Sequence, residues 1–171
     1  MYLVMKKFLI CIAVALSLQS CNLLSAAGLS SAGQPTKEVP TDLTSTTANS
    51  AVNVDHSEWN ALLKTHVSNS GLVNYEGFKK DRSKLDAYLQ KLSGYNPGND
   101  WSVQELLAYY INLYNAHTVD LILENYPTKS IKDIDGAWTK ASVPVGSRNL
   151  SLGGIENGIL RKMNDARIHF A

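Results

Sequence analysis

VQELLAYYINLYNAHTVDLILE, residues 103–124, decides the fold. Leu106, Leu107, Tyr109, Tyr110, Ile111, Leu113, Tyr114, Ala116, Val119, Leu121, Ile122 and Leu123 leave this stretch almost no polar side. A helix that is apolar all round belongs at the centre of a fold. Ser102 and Glu105 supply a capping-box pattern, in which serine caps the helix and glutamate reaches back to the cap amide. Tyr126-Pro127 sets the other end, because the residue before proline is pushed out of the helical region. Leu107, Ile111, Tyr114 and Ile122 are predicted core. Asn112, Asn115, His117, Thr118 and Asp120 are the polar residues that such a helix has to account for.

Upstream of the central helix, His56 to Val67 carries Trp59, Leu62, Leu63 and Val67 near helical spacing. Ser68–Gly71 breaks it, and Leu72–Tyr75 reads as a short extended piece. Asp81–Leu92 is a second helix, facing Leu85, Tyr88, Leu89 and Leu92 inward and stopped by Ser93-Gly94 and Asn96-Pro97-Gly98. Downstream, Ile131–Ile134 reads as one helical turn. Ala141–Val145 and Arg148–Leu152 pair about Gly146-Ser147, a Gly-X dipeptide suited to a type II′ turn. Gly154–Met163 is an amphipathic helix on Ile155, Ile159 and Leu160. Arg167-Ile168-His169-Phe170-Ala171 begins a further strand with no polar exit, so the chain reads as cut there. The expected class is α+β: a single, mainly helical domain over residues 56–171, around a buried central helix, with short strands from the hairpin and the His169 segment.

The N-terminus carries an address. Lys6 and Lys7 precede an apolar run from Phe8 to Leu18. A spanning helix needs about 20 apolar residues, so this run is too short for a permanent span. Residues 1–20 read as a secretory signal. Leu18-Gln19-Ser20-Cys21 resembles the bacterial lipoprotein signal, which implies that Cys21 is lipidated, palmitate among its acyl chains, and becomes the new N-terminus. The other reading is an ordinary signal cut nearer Ser25-Ala26-Ala27. Both export the protein. Residues 21–55, rich in Ser, Thr, Ala and Gly with Pro35 and Pro40, read as a flexible tether. Its random-coil length is roughly 30 Å. The expected partner is the membrane, held through the lipid anchor. Asn22 is no inner-membrane retention signal, so a two-membrane bacterium would place the protein in its outer membrane.

Charge and cysteine usage exclude several classes. Loss of Lys6 and Lys7 leaves 14 basic against 15 acidic residues, a net charge of about −1, and so no electrostatic case for nucleic acid. Cys11 goes with the signal and Cys21 with the lipid, which leaves the mature chain no disulfide and no thiolate within it. HExxH, CxxC, P-loop, GxGxxG and GxSxG patterns are absent, so no metal and no cofactor is expected.

Candidate chemistry is sparse. Asn112 and Asn115, at i and i+3, share one side of the central helix and could orient a ligand or pin neighbouring loops. Glu156 falls in the first turn of the last helix, where the helix dipole favours a carboxylate in any case. His169, opposite Ile168 and Phe170 in a strand, could present an imidazole to a cleft for general-base work, or to solvent. Arg161 and Arg167 could bind a carboxylate in bidentate fashion, stand solvated, or pair with Glu156 or Asp165. His117 alone on a helix reads as structural.

Four blocks carry a resemblance: Ala108–Ala116, Tyr126–Ile134, Leu150–Leu152 with Ile155–Arg161, and Arg167–Ala171. In this order they resemble the family known as domain of unknown function 547. Where that family usually has histidine after the glutamate of its Ile-Glu-His-Gly block, this chain has Asn157. The family pattern continues past the Arg-Ile-His-Phe-Ala block into a cysteine-bearing segment. The resemblance also suggests kinship with papain- or transglutaminase-like folds, by analogy of fold alone. Two functions are expected from it. One is an envelope lipoprotein acting as a tethered binding or scaffold module, its protein or small-molecule partner unidentified. The other is a cysteine-hydrolase or transglutaminase-like acyl-transfer enzyme with His169 as base, Asn112 or Asn115 as orienting amide and a nucleophile beyond Ala171.

Overall fold

The computed structural model describes residues 23–38 and 50–170, of which His169 and Phe170 only as backbone. The expected signal at residues 1–20, Cys21, the His169 side chain and Ala171 therefore lie outside the described residues. Along the chain come α1 (Ser57–His66), α2 (Tyr75–Lys80), α3 (Arg82–Ser93), α4 (Val103–Glu124), β1 (Val143–Val145), β2 (Arg148–Leu150) and α5 (Leu152–Gly158). Single 3-10 turns occupy Ile131–Asp133, Leu160–Met163 and Ala166–Phe170. The domain is α+β and mainly helical, with one two-stranded antiparallel hairpin among the described residues.

The central helix takes the predicted bounds, and only its last residue, Glu124, is exposed. α2 and α3 pack against it, as do α5 and the turn after α5, while α1 packs on α2 and α3. The core it organises is aromatic at the α1–α3 end. Trp59 stacks on Tyr88 with ring centroids 5.8 Å apart and an interplanar angle of 5°, and the Tyr109 hydroxyl donates to the Leu92 carbonyl at 2.9 Å. Leu107 and Ile122 are buried, while Ile111 and Tyr114 are half-buried and packed against the core. Although α4 is 22 residues long, no helix among the described residues is long and apolar enough to cross a membrane.

Half of the capping box forms. Ser102 Oγ accepts from the Glu105 N–H at 3.1 Å. Glu105 does not reach back: its carboxylate accepts from the Val54 N–H at 2.7 Å, and the Ser102 N–H donates to Ser50 Oγ at 3.1 Å. Residues 50–54 pass close to the helix start, so the Ser102 amide finds its partner there and the Val54 amide finds its own on the helix.

Three further expectations are corrected. Tyr75–Lys80 is a helix of its own, because Asn74 caps it by accepting from the Gly77 N–H at 2.9 Å. Extended structure upstream shrinks to a single bridge, Val67 with Val73. The His169 segment is a 3-10 turn, not a strand. Asp165 starts that turn by accepting from the Arg167 N–H at 2.8 Å. The hairpin itself pairs Val143 with Leu150 and Val145 with Arg148. Gly146 turns it at φ +56°, a backbone conformation that favours glycine.

Residues 23–38 and 50–55, given to the tether by composition, lie against the domain. Val54 joins the core. Residues 23–26 form a helical turn, and the segment to Glu38 runs as a strap across α5 and the hairpin. Asn157 Nδ2 donates to the Ala26 carbonyl at 2.8 Å and Arg148 Nη1 to the Ala32 carbonyl at 3.0 Å. The Tyr110 hydroxyl donates to Gln34 Oε1 at 2.7 Å, and Lys37 Nζ donates to the Asn99 and Trp101 carbonyls at 2.7 and 2.6 Å. These contacts are polar, so a search for apolar periodicity passes over them.

Candidate functional site

The C-terminal third gathers most of the charged candidates. α5 begins at Leu152, capped by Ser151 Oγ accepting from the Gly154 N–H at 3.0 Å. That start is two residues earlier than predicted and puts Glu156 beyond the first turn. A dipole argument for this carboxylate therefore loses its basis, since the effect fades past the first turn. Glu156 is held by side chains instead: Arg161 Nη2 donates to Oε1 at 2.7 Å, and the Tyr114 hydroxyl approaches Oε2 at 3.3 Å. Burial is the main cause that raises the Tyr114 pKa, and the nearby glutamate adds to it.

Arg167 and Asp165 form a forked pair, Nε to Oδ1 at 2.9 Å and Nη2 to Oδ2 at 2.6 Å. The guanidinium holds the Asp165 carboxyl below its usual range, chiefly through these hydrogen bonds. Asn164, at φ +53° in the left-handed region, makes the corner between the two short turns. Arg161, Asn164, Asp165, Ala166 and Ile168 line a concavity of about 340 Å³. Both arginines thus lie in ion pairs at or beside one hollow, next to the backbone of His169. Asn112 and Asn115 are half-buried on α4, and neither side chain has a hydrogen bond among the described residues. Glu156 takes Tyr114 and Arg161 as partners, not these amides.

His117 reads from the sequence as structural, outside the candidate site. It is buried, its Nε2 has no hydrogen-bond partner among the described residues, and its Nδ1 stands 4.0 Å from Asp120 Oδ2. Burial pushes the imidazole pKa down to about 4, so the ring is neutral at pH 7. Together with Asp120, Leu121, Glu124, Ala141, Ser142 and Val143 it lines a small cavity of about 170 Å³. Asp120 is itself pushed up by burial, against the attraction of Arg82. Arg82 bridges Asp120 and Asp86, the latter at 2.7 Å. The signal available in the sequence was the i, i+3 spacing of His117 and Asp120 on an otherwise apolar helix. No group of three or more His, Cys, Asp or Glu side chains suited to a metal occurs among the described residues.

Residues 99–171 match the family described as "Protein of unknown function, DUF547". The match takes in the central helix, the hairpin, α5 and the charged hollow. No curated protein and no solved structure matches the chain.

Proposed function

We propose that this chain is an exported lipoprotein whose domain serves as a membrane-tethered binding module of the cell envelope. The address rests on Lys6-Lys7, the apolar run from Phe8 to Leu18 and Cys21 behind Ser20. Within the domain, one observation carries the binding reading. The charged groups around the hollow already neutralise one another: Arg161 with Glu156, and Arg167 with Asp165. A guanidinium at the edge of such a hollow can hold a ligand carboxylate in bidentate fashion. Acyl chains on Cys21 would supply the anchor, each buried methylene contributing roughly 0.8 kcal/mol, and more than one chain converting marginal attachment into a stable one.

Labelling growing cells with a fatty-acid analogue tests the address. The mature chain should carry the label and sediment with membranes, in the outer-membrane fraction where the host has two. Cys21→Ser should lose the label. Unlabelled mature protein in the soluble exported fraction would overturn the anchor.

A further inference from the structure

The strap is built inside out for a segment in water. It buries Ser25 (2% exposed) and Gln34 (4% exposed), yet leaves Leu23 at 64%, Leu24 at 47% and Leu29 at 71%. Burying the polar members of a segment and exposing its leucines is the reverse of what water selects, so exposed apolar groups of this kind mark a contact surface. Among the described residues only one other large hydrophobic side chain is so exposed, Leu72. The three strap leucines belong to one local fold, because the Leu29 N–H donates to the Leu24 carbonyl at 2.9 Å and the Ala27 N–H to the Leu23 carbonyl at 3.0 Å.

The seat beneath explains why the polar side faces inward. α5 presents Gly153, Gly154 and Gly158 to the strap. A Cβ on Gly154 would stand 2.6 Å from Ser25 Oγ, one on Gly153 3.2 Å from Ala26 Cβ, and one on Gly158 inside contact distance of the Ser30 carbonyl. The glycine backbone of α5 therefore packs directly on Ser25, Ala26 and the Ser30 carbonyl, with Asn157 holding the Ala26 carbonyl and Tyr110 holding Gln34. Gly28, at φ +78° over Asn157, bends the strap so that Leu29 comes back beside Leu24. Nothing in this seat needs the leucines, and they are left outward.

We infer that Leu23, Leu24 and Leu29 form a membrane-apposing surface that enters the same leaflet that holds the acyl chains of Cys21. The inference rests on the lipid anchor proposed above. Leu23 and Leu24 follow Cys21 by two and three residues, which holds them within about 7 and 11 Å of it even in an extended chain, and the bond from the Leu29 N–H to the Leu24 carbonyl brings Leu29 back to the same level. Apolar side chains carried at that level bury into the interface by the physics that holds interfacial helices. Because the strap is seated on α5, insertion fixes the domain against the bilayer instead of leaving it at the end of a tether.

A tryptophan reporter tests this in the full chain, expressed with its own N-terminus and reconstituted into phosphatidylcholine vesicles that contain brominated lipid. Leu24→Trp should gain fluorescence quenched roughly twofold by the bromines, and Leu72→Trp, on the other exposed leucine, should gain fluorescence that is not. Gly158→Val, which denies the strap its seat, should make residues 23–34 exchange amide hydrogens at least tenfold faster while near-ultraviolet dichroism keeps the tryptophan packing. A labelled, vesicle-bound chain whose Leu24→Trp signal is unquenched overturns the inference and leaves the anchor standing. A chain that is both unlabelled and unquenched overturns the two together. Equal quenching at both positions, or leucines buried instead in a dimer of this chain, also overturns the inference.

Discussion

The central helix and the strap obey the burial rule in opposite senses. α4 buries Leu106, Tyr109, Tyr110 and Leu113 completely and exposes almost nothing. The strap buries a serine and a glutamine and exposes leucines. The difference lies in what each packs against. α4 faces apolar side chains on several sides, so its own side chains decide its place. The strap faces glycine backbone, so hydrogen bonds to its carbonyls and to Gln34 decide its place. A helix of the first kind is written in its composition, and a strap of the second kind is written in its receptor.

The largest effect should come from the centre. Leu113→Ala removes a fully buried side chain from α4 and should cost about 2–5 kcal/mol in urea unfolding. A loss below 1 kcal/mol would mean that the helix is not the organising element. His117 probes the same helix through its polar exception. Its folded pKa near 4 lies below the ordinary 6.5, so the unfolded chain binds the proton first as pH falls. Stability should be complete above about pH 6.5 and fall by roughly 2–3 kcal/mol on the way to pH 4. Asp120, raised by burial, acts with the opposite sign, so the comparison is with His117→Leu, which should lose most of this slope. The strap should give the smallest change. Gln34→Ala leaves the Tyr110 hydroxyl without its acceptor and should cost about 1–2 kcal/mol, with faster amide exchange confined to residues 23–38. A loss as large as that of Leu113→Ala would erase the contrast between the two regions.

Legibility in the sequence follows the same division. Val103–Glu124, the inward faces of α1 and α3, and the hairpin about Gly146 were readable because apolar period and turn chemistry agreed there. α2 was not, since YEGFKK is short and only the Asn74 cap marks it. Of the candidate site, the pairing of Arg161 with Glu156 and of Arg167 with Asp165 was among the expected outcomes. The hollow they border was not, because it depends on the corner at Asn164 and on a 3-10 turn where alternation suggested a strand. The place of His117 needed the hairpin approach at Ala141–Val143, which no local pattern encodes.

The start of α4 has a consequence for where this protein can be divided. The familial similarity begins at residue 99. Yet Asp100 accepts from the Ala51 amide, Ser102 leans on Ser50, Glu105 grips Val54, and Lys37 clasps the carbonyls of Asn99 and Trp101. Trp59, Phe78, Leu85 and Tyr88, all upstream of that boundary, belong to the same core as Leu106 and Tyr109. The unit of resemblance and the unit of folding are therefore different lengths of chain. A fragment opened at residue 99 would bare the aromatic side of its central helix to water, and its fate would be decided by what had been left behind.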